Sequence, residues 1–358
     1  MNQKQYRVAH LGLGGRGTIH ANAFLELNDR YKLVGLCELK KERLSEYCAE
    51  KGLDSEICYT DAEEMLASTR PDVFCFITQP DTLRLQFVDM AVRHGVKAIA
   101  LEKPMATSLE EASRIREICR QHNVKGVVSH QQKYLTSFQR MKEIIDRGDI
   151  GEVNLITASC QAWLSQLGTH YVDYALWVND FHPAKWVTGH VHGRELLSGH
   201  HPSPNYVMGQ IGFANGVRAF VEFGKLSASH MEAGNFWVDN RLTVYGTAGY
   251  AWGETDGRWG ALVNGQTIEE QGVGWGVQEK TRLQPLYFKE LADWLDGTIS
   301  DHSCNLEHAC HGYEIMEGLC ISAMDNLRVD LPLDTKDAYD MFERMRKELP
   351  ECPERKSE

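Results

Sequence analysis

The segment Val8-Ala-His-Leu-Gly12-Leu-Gly14-Gly15-Arg16-Gly17 constrains the fold of this chain more than any other. An apolar strand runs directly into Gly-x-Gly-x-x-Gly, and a helix-compatible stretch follows from Thr18 to Leu27. In a strand–turn–helix unit of this kind each glycine has a separate task. Gly12 permits the tight turn, Gly14 lets a pyrophosphate approach the backbone, and Gly17 lets the helix pack on the strand. The helix start then offers free N–H groups and a positive dipole end to phosphates. Gly15 and Arg16 belong to the same phosphate-facing turn. These features point to a dinucleotide site in a βαβ unit.

An acidic residue stands where such a site needs one. Glu38 ends a second apolar run, Tyr31–Cys37, about 20 residues beyond Gly17. A carboxylate there accepts hydrogen bonds from both hydroxyls of an adenosine ribose and repels a 2′-phosphate, which favours NAD over NADP. Lys40, Lys41 and Arg43 lie close by and leave room for NADP.

The pattern around this unit predicts its setting. Strands are expected near residues 6–11, 31–38, 72–77, 97–101 and 124–129, alternating with helices near 16–28, 41–51, 61–68, 82–94 and 108–122. Regular β-α alternation argues for a doubly wound parallel sheet with helices on both faces. Its ligand sits outside the carboxyl ends of the strands. Three later segments reach that edge: Thr78-Gln79-Pro80, Glu102-Lys103-Pro104 and Ser129-His130-Gln131.

Beyond residue 150 strand-like runs dominate: Val153–Cys160, Trp186–His192, Tyr206–Phe213, Val217–Phe223, Asn235–Tyr245 and Ala261–Val263. Several alternate polar and apolar residues, as in an antiparallel sheet with one covered face. Helices are expected at 135–147, 169–178, 281–296 and 305–326, and a terminal helix with a frayed tail within 334–358. The reading is therefore α/β in two domains: a Rossmann NAD-binding domain over 1–130, and a second α/β domain over 131–358 that ends in a helical tail.

Composition narrows the class. The 358 residues are 42% hydrophobic and 25% charged, ordinary for a globular protein. A net charge of −12 argues against a nucleic-acid or anionic-membrane surface. No apolar stretch approaches a membrane span and no export signal is evident, so a cytoplasmic location is expected. The 10 cysteines form no Cys-x-x-Cys pair and read as reduced, buried small side chains. His302, Cys304, His308, Cys310 and His311 cluster, as do His190, His192, His200 and His201, but neither spacing fits a common zinc pattern. No metal is expected.

Two segments carry side chains suited to moving protons. Lys103 follows the strand Val96–Leu101 and would lie at the sheet's ligand edge, where a nearby oxidised nicotinamide and partial desolvation lower a lysine's pKa. The proline after it biases the backbone toward an extended launch point and permits a cis bond. Gly168-Thr-His170-Tyr-Val-Asp173 opens a second-domain helix, with His170 and Asp173 on one face. Histidine is the natural general base for an alcohol near neutral pH. Trp163, Trp237, Trp252, Trp259 and Trp275 all lie in the second half and offer stacking faces, Trp163 foremost because Gln166 and His170 follow it closely. Tyr134 is a further pocket candidate.

Taken together, these segments resemble the Gfo/Idh/MocA oxidoreductases. The glycine turn, Cys37-Glu38 with Arg43, Thr78-Gln79-Pro80 and Glu102-Lys103-Pro104 carry the likeness. So do Gly148-Asp-Ile-Gly151-Glu-Val, Gly168-Thr-His170-x-x-Asp173, Val244-Tyr-Gly246-Thr-Ala-Gly249 and Leu331-Pro332-Leu333. The resemblance implies a second domain built on a large open sheet, which commonly mediates homo-oligomers (dimer, tetramer or higher), and sugar or cyclitol substrates. It also implies that Lys103 and His170 flank the reacting hydroxyl. Two positions depart from the pattern. Many members carry Asp four residues before the histidine, where this chain has Gln166; Arg84 stands near where a histidine often follows Pro80.

The expected function is hydride exchange between NAD and a ring hydroxyl, with C3 of a glycoside as the finer expectation. His170 and Lys103 are the catalytic pair. Gly12, Gly14, Gly15, Arg16, Gly17, Glu38, Arg43, Thr78, Gln79, Pro80, Glu102, Lys103 and Gln131 are expected at the cofactor. Lys103, Tyr134, Trp163, Gln166, His170 and Asp173 are expected at the substrate. Two alternatives stay open: an NAD-retaining glycoside hydrolase or lyase working by transient oxidation and elimination, and a non-catalytic NAD-binding sensor.

Overall fold

The computed structural model describes residues 4–78, 81–199, 201–231, 235–334 and 341–351. The chain folds into two compact units. The first takes residues through Thr107 with Glu111–Gln131 and Glu279–Ala309; the second takes Ser108–Glu110, Gln132–Gln278 and the chain from Cys310 on.

The first unit is built on six strands: β1 (Tyr6–Leu11), β2 (Tyr31–Cys37), β3 (Cys58–Tyr59), β4 (Val73–Phe76), β5 (Ala98–Leu101) and β6 (Lys125–Val128), in the order β3-β2-β1-β4-β5-β6. All five pairings are parallel. The strands β4 and β5, Val-Phe-Cys-Phe and Ala-Ile-Ala-Leu, are buried at every position, as a sheet covered on both faces requires. Helices α1 (Gly15–Glu26), α2 (Lys41–Lys51), α3 (Ala62–Thr69), α4 (Arg84–Arg93) and α5 (Leu109–Gln121) alternate with the strands. Strand order reverses direction between β1 and β4, so the turn leaving β1 opens at the topological switch point, where doubly wound sheets bind ligands. The sequence reading missed only the two-residue edge strand β3, too short to show a period.

One boundary differs from the sequence reading. Residues 279–309, expected in the second domain, pack with the first unit. The reason lies in the helix Gln284–Asp296. The Arg30 guanidinium donates to Asp293 at 2.8 Å and Asp296 at 2.6 Å. Tyr6 donates its hydroxyl to Asp296 at 2.7 Å, and Tyr31 donates to the Phe288 carbonyl at 2.7 Å. The Phe24 and Phe288 rings sit 4.0 Å apart. Long-range pairings of this sort leave no periodic trace in a sequence.

The second unit holds a nine-stranded sheet: β7 (Val153–Cys160), β8 (Ala184–His192), β9 (Tyr206–Phe213), β10 (Arg218–Gly224), β11 (Asn240–Gly246), β12 (Tyr250–Gly253), β13 (Arg258–Val263), β14 (Gln266–Gln271) and β15 (Val329–Asp330). Its order is β14-β13-β12-β11-β7-β10-β9-β8-β15, and only β7 with β10 is parallel. The run Asn235–Tyr245 is a strand only from Asn240 on, and Ala261–Val263 belongs to a three-stranded meander, β12 to β14. Helices α6 (Thr136–Asp146) and α7 (Thr169–Val178) belong to this unit, and every residue of α7 is buried. In the tail a helix spans Met341–Glu348; residues 335–340 and 352–358 of the predicted terminal helix lie outside the described residues.

The glycine turn is the tightest backbone crossing that bears on the ligand edge. Gly12 has φ +97°, and a Cβ there would lie 2.2 Å from the Ile77 carbonyl oxygen; a Cβ on Gly17 would lie 2.0 Å from the Gly12 carbonyl oxygen. Backbone cannot yield to that overlap cheaply. Gly17→Ala is expected to cost about 1–3 kcal/mol in a urea titration. Gly14→Ala meets no atom within 4 Å and serves as the control, near wild type. Equal loss in both variants would contradict the crossing as the cause.

Candidate functional site

In the first unit the site assembles around the turn from β1 into α1. The Gly12 N–H donates to the Cys37 carbonyl at 2.8 Å, pinning the turn to the end of β2. From below, His10 donates from Nε2 to the Gly12 carbonyl at 2.8 Å. Burial, with His20 close by, keeps that imidazole neutral, its pKa lowered to about 3. A neutral donor suits this position, because a buried cation beside the helix start would oppose the dipole. Among the described residues no side chain caps α1 and no acid stands in its first turn, so its leading N–H groups face outward. Cβ atoms built on Gly14 and Gly15 meet nothing within 4 Å. The turn thus keeps bare backbone and open space where a pyrophosphate would approach, and its donors fit that group.

Glu38 is positioned as a ribose partner would be. It is nearly buried, and its two carboxylate oxygens accept from Leu13 N–H at 2.9 Å and Lys40 N–H at 3.1 Å. Burial raises its pKa, but those two N–H bonds and the charges of Arg43 and Lys40 outweigh burial and hold it below the ordinary value. Arg43 lies 3.7 Å from the carboxylate. A carboxylate offers about four acceptor directions, so two remain for diol hydroxyls. Arg16, expected at the phosphates, forms an ion pair with Glu279 of the same unit. Thr78 is half-buried and its methyl lies 3.5 Å from a Cβ built on Gly12. Gln79 and Pro80 lie outside the described residues.

At the end of β5, Glu102 is buried and half-buried Lys103 follows it; the Lys103–Pro104 bond is cis. His20, fully buried on α1, contacts Glu102 Oε1 through Nε2 at 3.1 Å, and Glu102 Oε2 accepts the Lys103 N–H at 3.2 Å. Burial pushes the Glu102 pKa up; the His20 hydrogen bond and the charges of His20, Arg16 and Lys103 overcome it and lower the pKa to about 2. Ser129, at the end of β6, lies 3.5 Å from the same His20 nitrogen and donates to Gln131 Oε1 at 2.9 Å. His20 was not singled out in the sequence, although its place three residues after Gly17 sets it on the turn's helix.

In the second unit, taken by itself, the remaining candidates lie on and around α7. His170 is buried, and its Nδ1 lies 2.9 Å from the Tyr174 hydroxyl, which donates to Gln132 Oε1 at 3.3 Å. Asp173, expected to share a face with His170, is 1% exposed and forms an ion pair with Lys133 Nζ at 2.6 Å, itself 1% exposed. Tyr134 is buried. Gln166 is half-buried in a π-helical turn, Leu164–Gly168, that leads into α7; such turns recur at functional sites. Trp163 precedes that turn and stacks on Phe236 at 6.1 Å and 20°, with Trp237 at 5.8 Å. All three rings are partly exposed. Phe236 was missed because single aromatics carry no spacing signal. Trp252 instead packs under the Arg241 guanidinium at 4.2 Å.

The histidines of the 302–311 cluster take structural parts. His302 bonds the Tyr287 carbonyl and the Cys304 N–H, His308 lies 3.3 Å from Asp301, and His311 bonds Glu314 and the Ala184 N–H. Among the described residues no group of three or more His, Cys, Asp or Glu is placed to hold a metal ion. No described helix is long and apolar enough to cross a membrane.

The His20–Glu102 bond has a stability signature. A carboxyl whose folded pKa lies near 2, against an ordinary 4.5, stabilises the fold fully above pH 4.5 and loses that contribution as pH falls toward 2. His20→Ala is expected to destabilise by about 1–3 kcal/mol at neutral pH. The gap to wild type should narrow as pH drops below 4.5, measured by urea unfolding. A gap constant with pH would show that the bond does not depend on the ionised carboxylate.

Comparison with known proteins agrees with this geometry. Residues 6–130 match the GFO_IDH_MocA family, described as an oxidoreductase family with an NAD-binding Rossmann fold. The chain is 29% identical to a D-xylose 1-dehydrogenase [NADP(+)] of Haloarcula marismortui, over 41% of this chain and 40% of that protein. It is 26% identical to a scyllo-inositol 2-dehydrogenase (NAD(+)) of Bacillus subtilis, over 69% of this chain and 73% of that protein. Two of the curated relatives are thus matched over less than half of their own length, 43% and 40%. A levoglucosan dehydrogenase solved with NADH and levoglucosan shares the fold at TM-score 0.74 and 17% identity, over 92% of this chain and 100% of that one. Over residues 6–130 the chain is thus similar to the NAD-binding domain of the Gfo/Idh/MocA oxidoreductases.

Proposed function

We propose that this protein is an NAD-dependent oxidoreductase acting on a ring hydroxyl of a sugar, glycoside or cyclitol. One observation carries the reading: the His20–Glu102 bond ties the glycine-turn helix to the strand end that bears Lys103. The turn's outward N–H groups and Glu38 would hold the dinucleotide, with Arg43, Thr78 and Gln131 lining its course. The two acceptor directions left on Glu38 suit unphosphorylated ribose hydroxyls, which favours NAD. When bound, NAD supplies the redox chemistry, with the carbinol carbon oxidised and the nicotinamide reduced. Lys103 hydrogen-bonds the oxygen as it gains alkoxide character, and His170 accepts its proton.

The partly exposed Trp163, Phe236 and Trp237 rings suit the apolar face of a pyranose or of an aromatic aglycone. Gln166 cannot take a proton but can hydrogen-bond a hydroxyl. The printed names of the relatives, a xylose dehydrogenase and an inositol dehydrogenase, and of the levoglucosan complex support the same substrate class. The C3 hydroxyl of a glycoside is the first position to test. A homo-oligomer is part of the reading. Met208, Phe220 and Tyr245 are 44%, 45% and 36% exposed on one face of the nine-stranded sheet, while alternate residues Val207, Ala219, Val221 and Val244 are buried.

The purified protein, given NAD⁺ and a panel of glucosides and inositols, is expected to yield a keto product with equivalent NADH absorbance. No product with any member, with or without an added electron acceptor, would overturn the assignment. Lys103→Ala and His170→Ala should each lower kcat by about 100-fold or more. Residues serving one step are non-additive, so the double variant should fall little below the worse single one. Losses that multiply in full would contradict a shared step.

A further inference from the structure

We infer that Tyr174 and Gln132 form a relay that holds His170 in the tautomer carrying its proton on Nδ1, leaving the Nε2 lone pair to take the substrate's proton. The inference rests on the proposed role of His170 as the base. Tyr174 stands one helical turn after His170 on α7, so their side chains share a face. The His170 Nδ1 to Tyr174 oxygen distance is 2.9 Å, and the Tyr174 hydroxyl donates to Gln132 Oε1 at 3.3 Å. The three residues are 3%, 0% and 3% exposed.

The direction of the chain follows from counting protons. A tyrosine hydroxyl has one hydrogen. Directed at the Gln132 carbonyl oxygen, which can only accept, that hydrogen is unavailable to the imidazole. The Tyr174 oxygen then accepts, so Nδ1 must donate, and in a neutral imidazole Nε2 carries no hydrogen. When Nε2 gains a proton, the Nδ1–H to Tyr174 bond persists and helps to stabilise the imidazolium, as a carboxylate does behind other catalytic histidines. At Nδ1 that place is held by Tyr174, while the Asp173 carboxylate pairs with Lys133. Gln166 has no carboxylate to offer. Tyr174 and Gln132 are therefore positioning residues that act through His170.

Long-range ¹H–¹⁵N correlation of histidine-labelled protein reads the tautomer in the resting protein, with the His170 signals assigned by their loss in His170→Ala. The expected signature is a protonated-type Nδ1 and a lone-pair-type Nε2; the reverse pattern overturns the relay. In Tyr174→Phe the two shifts should converge as the tautomers interchange. Its kcat should fall about tenfold, the effect of losing one charge-assisted hydrogen bond, with KM little changed. Gln132→Leu, which keeps the tyrosine, should move both readouts the same way and guards against a folding defect in Tyr174→Phe. Unchanged shifts and kcat in both variants overturn the proposal. Failure of the base assignment shows differently: His170→Ala would retain turnover, whatever tautomer the resting protein displays.

Discussion

The crossing of α1 over the end of β1 governs the chemistry-bearing edge of the first unit. Gly17 meets the Gly12 carbonyl with no room for a side chain, and His10 grips that same carbonyl from beneath. This closeness sets where the helix begins. Its leading N–H groups consequently face outward, and Glu38 reaches the Leu13 N–H across the turn. Three residues further along α1, His20 meets Glu102. A single backbone approach thus aligns the outward N–H groups of the helix start, the Glu38 carboxylate and the strand end bearing Lys103.

Electrostatics at that edge follow one pattern, in which burial is offset by specific partners. Both Glu38 and Glu102 lose solvation, yet both are held as carboxylates, the first by backbone N–H groups and the second chiefly by His20. Charges that are fixed and already partnered require little reorganisation when a ligand arrives. The second unit uses the same device in another form. The Lys133–Asp173 pair is buried together, and the neutral chain runs from His170 and Tyr174 on α7 to Gln132 in the turn Gln131–Tyr134 without spending a charge. A histidine backed by neutral partners gains less stabilisation for its charged form than one backed by a carboxylate, which suits a base that must release its proton again.

Much of this was legible in the sequence. The β-α alternation gave five of the six strands of the parallel sheet, because strands covered on both faces read as unbroken apolar runs. The glycine turn and Glu38 were legible because each needs a particular residue type at a particular spacing. Other features depend on contacts that spacing cannot carry. His20 and Glu102 are 82 residues apart, and Arg30 meets Asp293 across 263, which is why residues 279–309 were placed with the wrong part of the chain. Of the strands β12 to β14 only Ala261–Val263, within β13, was read from the sequence, because short, glycine-interrupted segments blur a two-residue period. Tyr174 stands four residues after His170, a helix-face spacing that the sequence reading, which paired His170 with Asp173 at three residues, did not use.

Titration of the purified protein with NAD and, separately, with NADP by calorimetry tests most directly whether this turn and Glu38 form a dinucleotide site. Micromolar binding of NAD is expected, with NADP about tenfold weaker or worse, because a 2′-phosphate would meet a carboxylate held ionised. Absence of heat with either dinucleotide, or tighter binding of NADP, would contradict the site as it is drawn from Gly12 to Glu38.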